Sequence, residues 1–144
     1  MKIKIKKLRP DAKMPTRGTK HAAAFDLYAA ESVMIKGAHQ WEGVKIPTGL
    51  AFEIPEGYCG VVYSRSSSAV NRWGITPLIV DSDYRGEVYV TVDPRLTRDT
   101  YVEVEKGQRL AQIKIEKLEP TEFEWADELS ETERGSGGYG STGK

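Results

Sequence analysis

Leu78-Ile79-Val80-Asp81-Ser82-Asp83-Tyr84-Arg85-Gly86-Glu87-Val88 is the stretch on which the reading of this chain turns. An apolar run stops at Asp81, a polar turn follows, and Glu87-Val88-Tyr89-Val90-Thr91-Val92 alternates as it leads away. Period-two alternation beside a glycine-bearing turn is the pattern of a β-hairpin, with Gly86 free to take a positive φ. Its tip carries the carboxylates Asp81 and Asp83 and the ring of Tyr84. Polar groups gathered on a turn between apolar strands describe either a site on a rigid scaffold or a solvated turn. The stretch alone leaves both open.

The rest of the chain bounds the choice. Its 144 residues make one domain, long enough to bury a core of its own. With 21 basic and 21 acidic residues the formal charge is zero. No overall field draws nucleic acid or a membrane, so any anion site must be local. The 14 glycines and the Val/Ile-rich segments favour an all-β fold over a helix bundle. The single cysteine excludes an intrachain disulfide and a cysteine-based zinc cluster. Within Cys59-Gly60-Val61-Val62-Tyr63 it reads as a small buried core residue. His21 and His39 lie far apart and support neither a catalytic triad nor a histidine metal site. The N-terminal Lys2-Ile3-Lys4-Ile5-Lys6-Lys7 alternates like a strand rather than a signal peptide, and no segment is apolar enough to span a membrane. The cytoplasm is the default compartment.

Upstream of the hairpin, Ile3, Ile5 and Leu8 form the inward face of a first strand whose lysines suit a sheet edge. Residues 9–20, with Pro10, Pro15 and Gly18, read as loop. His21-Ala22-Ala23-Ala24-Phe25-Asp26-Leu27-Tyr28-Ala29-Ala30 reads as a buried extended stretch carrying one carboxylate. A lone buried carboxylate costs several kcal/mol unless it is paired, so Asp26 requires a partner, either a backbone turn or a cation. Residues 32–35 form a short strand, 36–43 a loop, and 44–54 a longer strand broken by Pro47 and Gly49. Pro55-Glu56-Gly57-Tyr58 is a β-turn and residues 59–63 return as a strand. Ser64-Arg65-Ser66-Ser67-Ser68 then opens a short helical stretch. Free N–H groups at its start, with Arg65 beside them, suit phosphate, although serines in this position more commonly act as caps.

Downstream, residues 93–100 are a polar connection, and 101–104 and 109–115 read as strands. Gln112 by itself reads as an ordinary outward-facing side chain. Residues 121–134 are acidic, with a possible strand at Phe123-Glu124-Trp125. The glycine-rich end from Arg134 cannot bury enough surface to order itself. Arg134, Tyr139, Ser141 and Thr142 among its glycines fit either a flexible tail or an arm closing over a ligand, arginine and hydroxyls on phosphate and ring on a flat group.

Together these segments resemble the trimeric dUTPase family over nearly the whole chain. Five motifs stand in the family's order: Ala23-Ala24-Phe25-Asp26-Leu27, Ser64-Arg65-Ser66-Ser67, Ile79 to Gly86, Gly107-Gln108-Arg109-Leu110-Ala111-Gln112, and Arg134 to Gly143. The resemblance implies a jelly-roll-like antiparallel β-barrel over residues 1–129, a mobile arm over 130–144, and a homotrimer with sites shared between chains. It implies hydrolysis of dUTP to dUMP and pyrophosphate with Mg²⁺ on the triphosphate, which limits uracil in DNA and supplies dUMP for dTMP synthesis. Asp81 would be the general base for a water attacking the α-phosphorus. Tyr84 would exclude a ribose. The backbone around Ile75, Ile79, Val80 and Tyr89 would read uracil in a slot too narrow for a 5-methyl group. Arg65, Ser66, Ser67 and Gln112 would hold phosphates, and Asp26 would reach Mg²⁺ through water. Arg134, Gly140, Ser141 and Thr142 would clasp the γ-phosphate while Tyr139 stacks over the base. Neither nucleic acid nor membrane is an implied partner.

Departures from the family pattern are Ala24 and Leu78, each where glycine is usual, Tyr139 for phenylalanine, and the lack of an asparagine before Leu78. They bear on base recognition more than on phosphate chemistry. Two rivals share the fold. A dCTP deaminase would need a carboxylate at Thr91, and a regulatory binding protein would have no need of Asp81, Arg65, Tyr84, Gln112 and the tail together.

Overall fold

The computed structural model describes residues 1–36, 42–70, 74–94 and 101–138. Among them the elements follow the punctuation of the sequence. In chain order they are β1 (Lys4–Lys7), β2 (Phe25–Tyr28), β3 (Val33–Ile35), β4 (Val44–Pro47), β5 (Leu50–Glu53), β6 (Tyr58–Ser64), α1 (Ser66–Val70), β7 (Gly74–Thr76), β8 (Leu78–Val80), β9 (Tyr89–Asp93), β10 (Val102–Val104) and β11 (Arg109–Lys117). The fold is all-β, its one described helix a single short turn.

Among the described residues every strand pairing is antiparallel. The strands form four sheets, ordered β1-β5, β10-β3, β2-β11-β6-β8 and β4-β9-β7. They do not close into the expected barrel. Proline and glycine are the cause, because Pro47 and Gly49 separate β4 from β5, and Pro77 separates β7 from β8. In each case consecutive strands enter different sheets. Gly49 has φ 71°, and a Cβ there would overlap Ala12, so this corner requires glycine. The turn after β5 is as read: Gly57 has φ 78° and the Tyr58 amide donates to the Pro55 carbonyl at 3.2 Å.

All four sheets feed one core. Leu27, Ile35, Ile46, Val62, Val90, Val92, Val104 and Leu110 are fully buried in it, with Phe52 and Ile113 nearly so. Burial of each such side chain contributes about 1.5–3 kcal/mol, which fixes the inward face of every long strand. Cys59 is buried and unpaired, as its apolar setting implied. Ile3 and Ile5 pack against the core from the edge strand β1, but Leu8 is exposed, because its backbone leaves the strand to donate to the Gly49 carbonyl. Residues 123–125 form no strand, and Phe123, Trp125 and Leu129 stand fully or almost fully exposed. Apolar alternation makes a strand only where another strand pairs with it, and none pairs here.

The hairpin differs from its reading in one consequential way. β8 pairs with β6, whereas β9 pairs with β4 and β7, so the two arms do not bond to each other. They splay apart below a shared turn.

Candidate active site

The splay opens a cavity of about 250 Å³ between the arms, lined by Lys45, Leu78 to Asp81, Tyr84, Glu87 to Tyr89, and Thr91. Alternation explains the lining from the β9 side. Val88, Val90 and Val92 point into the core, which leaves Glu87, Tyr89 and Thr91 on the opposite face. From the β8 side Val80 is buried, Ile79 is 70% exposed, and Leu78 is half-buried against the core while also bordering the cavity.

Asp81 begins the turn at the cavity mouth, its carbonyl accepting from the Tyr84 amide at 3.2 Å. Among the described residues its carboxylate accepts no hydrogen bond and forms no ion pair, leaving it available to a bound molecule. The Tyr84 ring folds back across Gly86 and its hydroxyl donates to the Glu87 carbonyl at 3.0 Å. Gly86 is therefore needed for space rather than for a positive φ, which it does not adopt, because a Cβ there would overlap the Tyr84 ring. Ile75 sits in the core on β7 and does not border the cavity.

A second group lies at the other end of β6. The Arg65 Nε donates to Asp26 Oδ1 at 2.8 Å, and Arg109 Nη1 reaches Asp26 Oδ2 at 3.5 Å. The Asp26 side chain is 12% exposed and that of Arg65 21%, so the pair is partly desolvated, and of the two partners its setting allowed Asp26 has the cation. Arg65 also donates to Ser67 Oγ at 3.1 Å. Gln112 stands opposite Asp26 in the β2–β11 ladder and donates to the Ser64 carbonyl at 3.0 Å, which ties it to this cluster. Ser66 and Ser67 are exposed at the start of α1. The result is a patch with arginine, amide and hydroxyl groups converging beside one carboxylate, a donor set suited to phosphate oxygens.

The two groups do not meet within one chain. Val80 stands opposite Gly60 and leads into Asp81, while Gln112 bonds Ser64 at the far end of the same strand. Cys59 to Ser64 spans about 17 Å of strand. Farther along, Arg134 donates to the Gly137 carbonyl at 2.9 Å in a turn within the tail. Tyr139, Gly140, Ser141 and Thr142 lie outside the described residues, as do 37–41 and 95–100 of the two polar connections.

Three residues at these ends were not singled out from sequence: Lys45 and Glu87 in the cavity, and Arg109 on Asp26. Period two would have found Glu87, which shares a face with Tyr89. Arg109 stands opposite Tyr28 in the same β2–β11 ladder, beyond a register shift, and carries no local signal. For Mg²⁺ the test is the donor set. Among the described residues no three histidine, cysteine or acidic side chains converge, and both Asp26 oxygens face arginines. The protein alone offers no closed magnesium cage. None of the described helices is long and apolar enough to cross a membrane.

Comparison with known proteins agrees with this geometry. The dUTPase family model matches residues 10–143. The chain is 45% identical to the deoxyuridine 5'-triphosphate nucleotidohydrolase of Nautilia profundicola, with both proteins covered over their full length. It is 39% identical to that of Corynebacterium diphtheriae over 98% of this chain and 92% of the relative. Its fold is similar to a mutant Staphylococcus bacteriophage 80alpha dUTPase solved with dUpNHpp, at TM-score 0.86 and 27% identity over 99% of both chains. A splayed hairpin with a free aspartate at its mouth, a phosphate-suited patch and these full-length matches lead to one conclusion: the chain belongs to the dUTPase family.

Proposed function

We propose that this protein hydrolyses dUTP to dUMP and pyrophosphate in the cytoplasm, as a homotrimer in which each site joins the hairpin end of one chain to the phosphate end of another. The cavity between β8 and β9 is the observation that carries this reading. At about 250 Å³ it falls below the ~300 Å³ at which pockets for whole ligands begin, which suits one flat ring whose sugar and phosphates continue outside. Asp81 at its mouth holds the attacking water and accepts its proton. Tyr84 stands where a 2'-hydroxyl would project. Backbone groups of Ile79, Val80 and Tyr89 face the ring edge, with Ile75 supporting them from the core.

The triphosphate then extends to a neighbouring chain's Arg65, Ser66, Ser67 and Gln112, which neutralise and orient it. The tail, with Arg134, Tyr139, Gly140, Ser141 and Thr142, covers the bound nucleotide. Magnesium would ride on phosphate oxygens, Asp26 touching it through coordinated water, and would supply charge neutralisation for the leaving pyrophosphate. Deamination finds little support here, since Thr91 in the cavity has no carboxylate. Glu87, the other acid in the lining besides Asp81, is fully engaged by donors. A panel of dUTP, dTTP, dCTP and UTP scored for pyrophosphate tests the proposal: release from dUTP in strong preference to the others is expected. Binding of dUTP without turnover would refute it.

A further inference from the structure

β8 and β9 take their positions from different neighbours, so something must set the distance between them. β8 is fixed by its ladder to β6. At the mouth, the start of β9 is held by Glu87. Its side chain is only 12% exposed and both oxygens are occupied. Oε1 accepts from Arg9 Nε at 2.8 Å and from the Gly49 amide at 2.8 Å. Oε2 accepts from Arg9 Nη2 at 3.1 Å and from the Tyr89 hydroxyl at 2.9 Å. Arg9 is itself steadied by Glu31 at 3.0 Å. The next residue continues the attachment, the Val88 amide donating to the Leu50 carbonyl and its carbonyl accepting from the buried Thr48 hydroxyl. One carboxylate thus joins the N-terminal loop, the β4–β5 corner and a tyrosine of the cavity wall, and none of these partners belongs to β8.

We propose that Glu87, clamped by Arg9, is a positioning residue that sets the width of the slot and the stance of Tyr89, and so governs discrimination against 5-substituted pyrimidines. The inference rests on the slot being the base site. Burial pushes the Glu87 carboxyl upward, but donors from Arg9, Tyr89 and Gly49 outweigh it and hold the group below the usual carboxylate range. The anchor is therefore ionised wherever the protein is folded near neutrality. A bidentate guanidinium–carboxylate fork also fixes orientation as well as charge. Lysine at position 9 would keep the charge and lose the geometry.

The test compares kcat and KM for dUTP and dTTP in Glu87→Gln, Tyr89→Phe and Arg9→Lys, each checked for folding by thermal melt. An anchor that acts on the slot and not on the water predicts for Glu87→Gln a KM for dUTP raised about tenfold with kcat within about twofold. The dUTP-over-dTTP ratio of kcat/KM should fall about tenfold, with Arg9→Lys intermediate and Tyr89→Phe losing about threefold. A folded Glu87→Gln with wild-type discrimination overturns the inference. If that variant does not fold, Tyr89→Phe decides in the same way. Ile79→Trp, filling the slot from its exposed side, separates this from failure of the base-site reading. If it leaves KM for dUTP unchanged, the slot is not the base site. If it raises KM while the Glu87, Tyr89 and Arg9 variants do nothing, only the positioning role fails.

Discussion

The two ends of β6 solve the problem of a functional carboxylate in opposite ways. At the phosphate end, Asp26 is bound by Arg65 and Arg109 and largely sheltered, so its charge is spent on holding cations in place. At the hairpin end, Asp81 is exposed and unpaired among the described residues, while its neighbour Glu87 takes donors from Arg9, Gly49 and Tyr89. The difference separates binding from chemistry. A carboxylate that must accept a proton is kept clear of arginines, and one that must organise a phosphate patch is placed among them.

Substitutions should break this contrast to different degrees. Asp81→Asn removes a group with no structural partner, so turnover should fall about 10³-fold while the melting temperature and oligomeric state stay at wild-type values. An equal loss of stability would mean that Asp81 is structural after all. Arg65→Ala strikes the other end, where role and structure are linked. It should lower kcat/KM about 10²-fold and also cost about 1–3 kcal/mol of stability, because Asp26 is left partly buried with only the longer Arg109 contact. Unchanged stability would show that the pair is no more than a surface contact.

The smallest effect is on acid stability. The folded Glu87 pKa lies below the ordinary value of 4.5, so its contribution is complete above about that pH and is lost as pH falls through the lower folded value. Glu53 and Glu116 are shifted the same way, by Lys4 and Lys114 respectively, and add to the slope. Melting temperature should therefore hold level from pH 8 to about 5 and drop below about 4.5. The drop should be shallower in Glu87→Gln, and an identical acid limb would count against the buried clamp.

Much of this was legible in the residues themselves. Alternation located β9 and its inward valines, Pro47 and Gly49 marked the break between β4 and β5, and the isolated acid at Asp26 demanded a partner, which proved to be a cation. What alternation cannot report is the identity of a strand's partner. That is why 78–88 read as a paired hairpin when its arms belong to different sheets. Residues 123–125 show the same limit, since their apolar alternation found no partner strand and left Phe123 and Trp125 exposed. Gly86 misled for another reason. Its glycine answers a ring packed over it from Tyr84 two residues away, and turn statistics speak only of φ. Arg109 joins Asp26 through a cross-strand side-chain contact that no local pattern encodes.

The central claim is that the hairpin end and the phosphate end, some five strand residues apart on one β6, complete a site only across chains. Mixing Asp81→Asn with Arg65→Ala, unfolding and refolding them together, measures this directly. Random mixed trimers should recover about a quarter of wild-type dUTP turnover, because each site then needs one chain of each kind in a set order. Mixed trimers that form yet remain as inactive as either parent would contradict it.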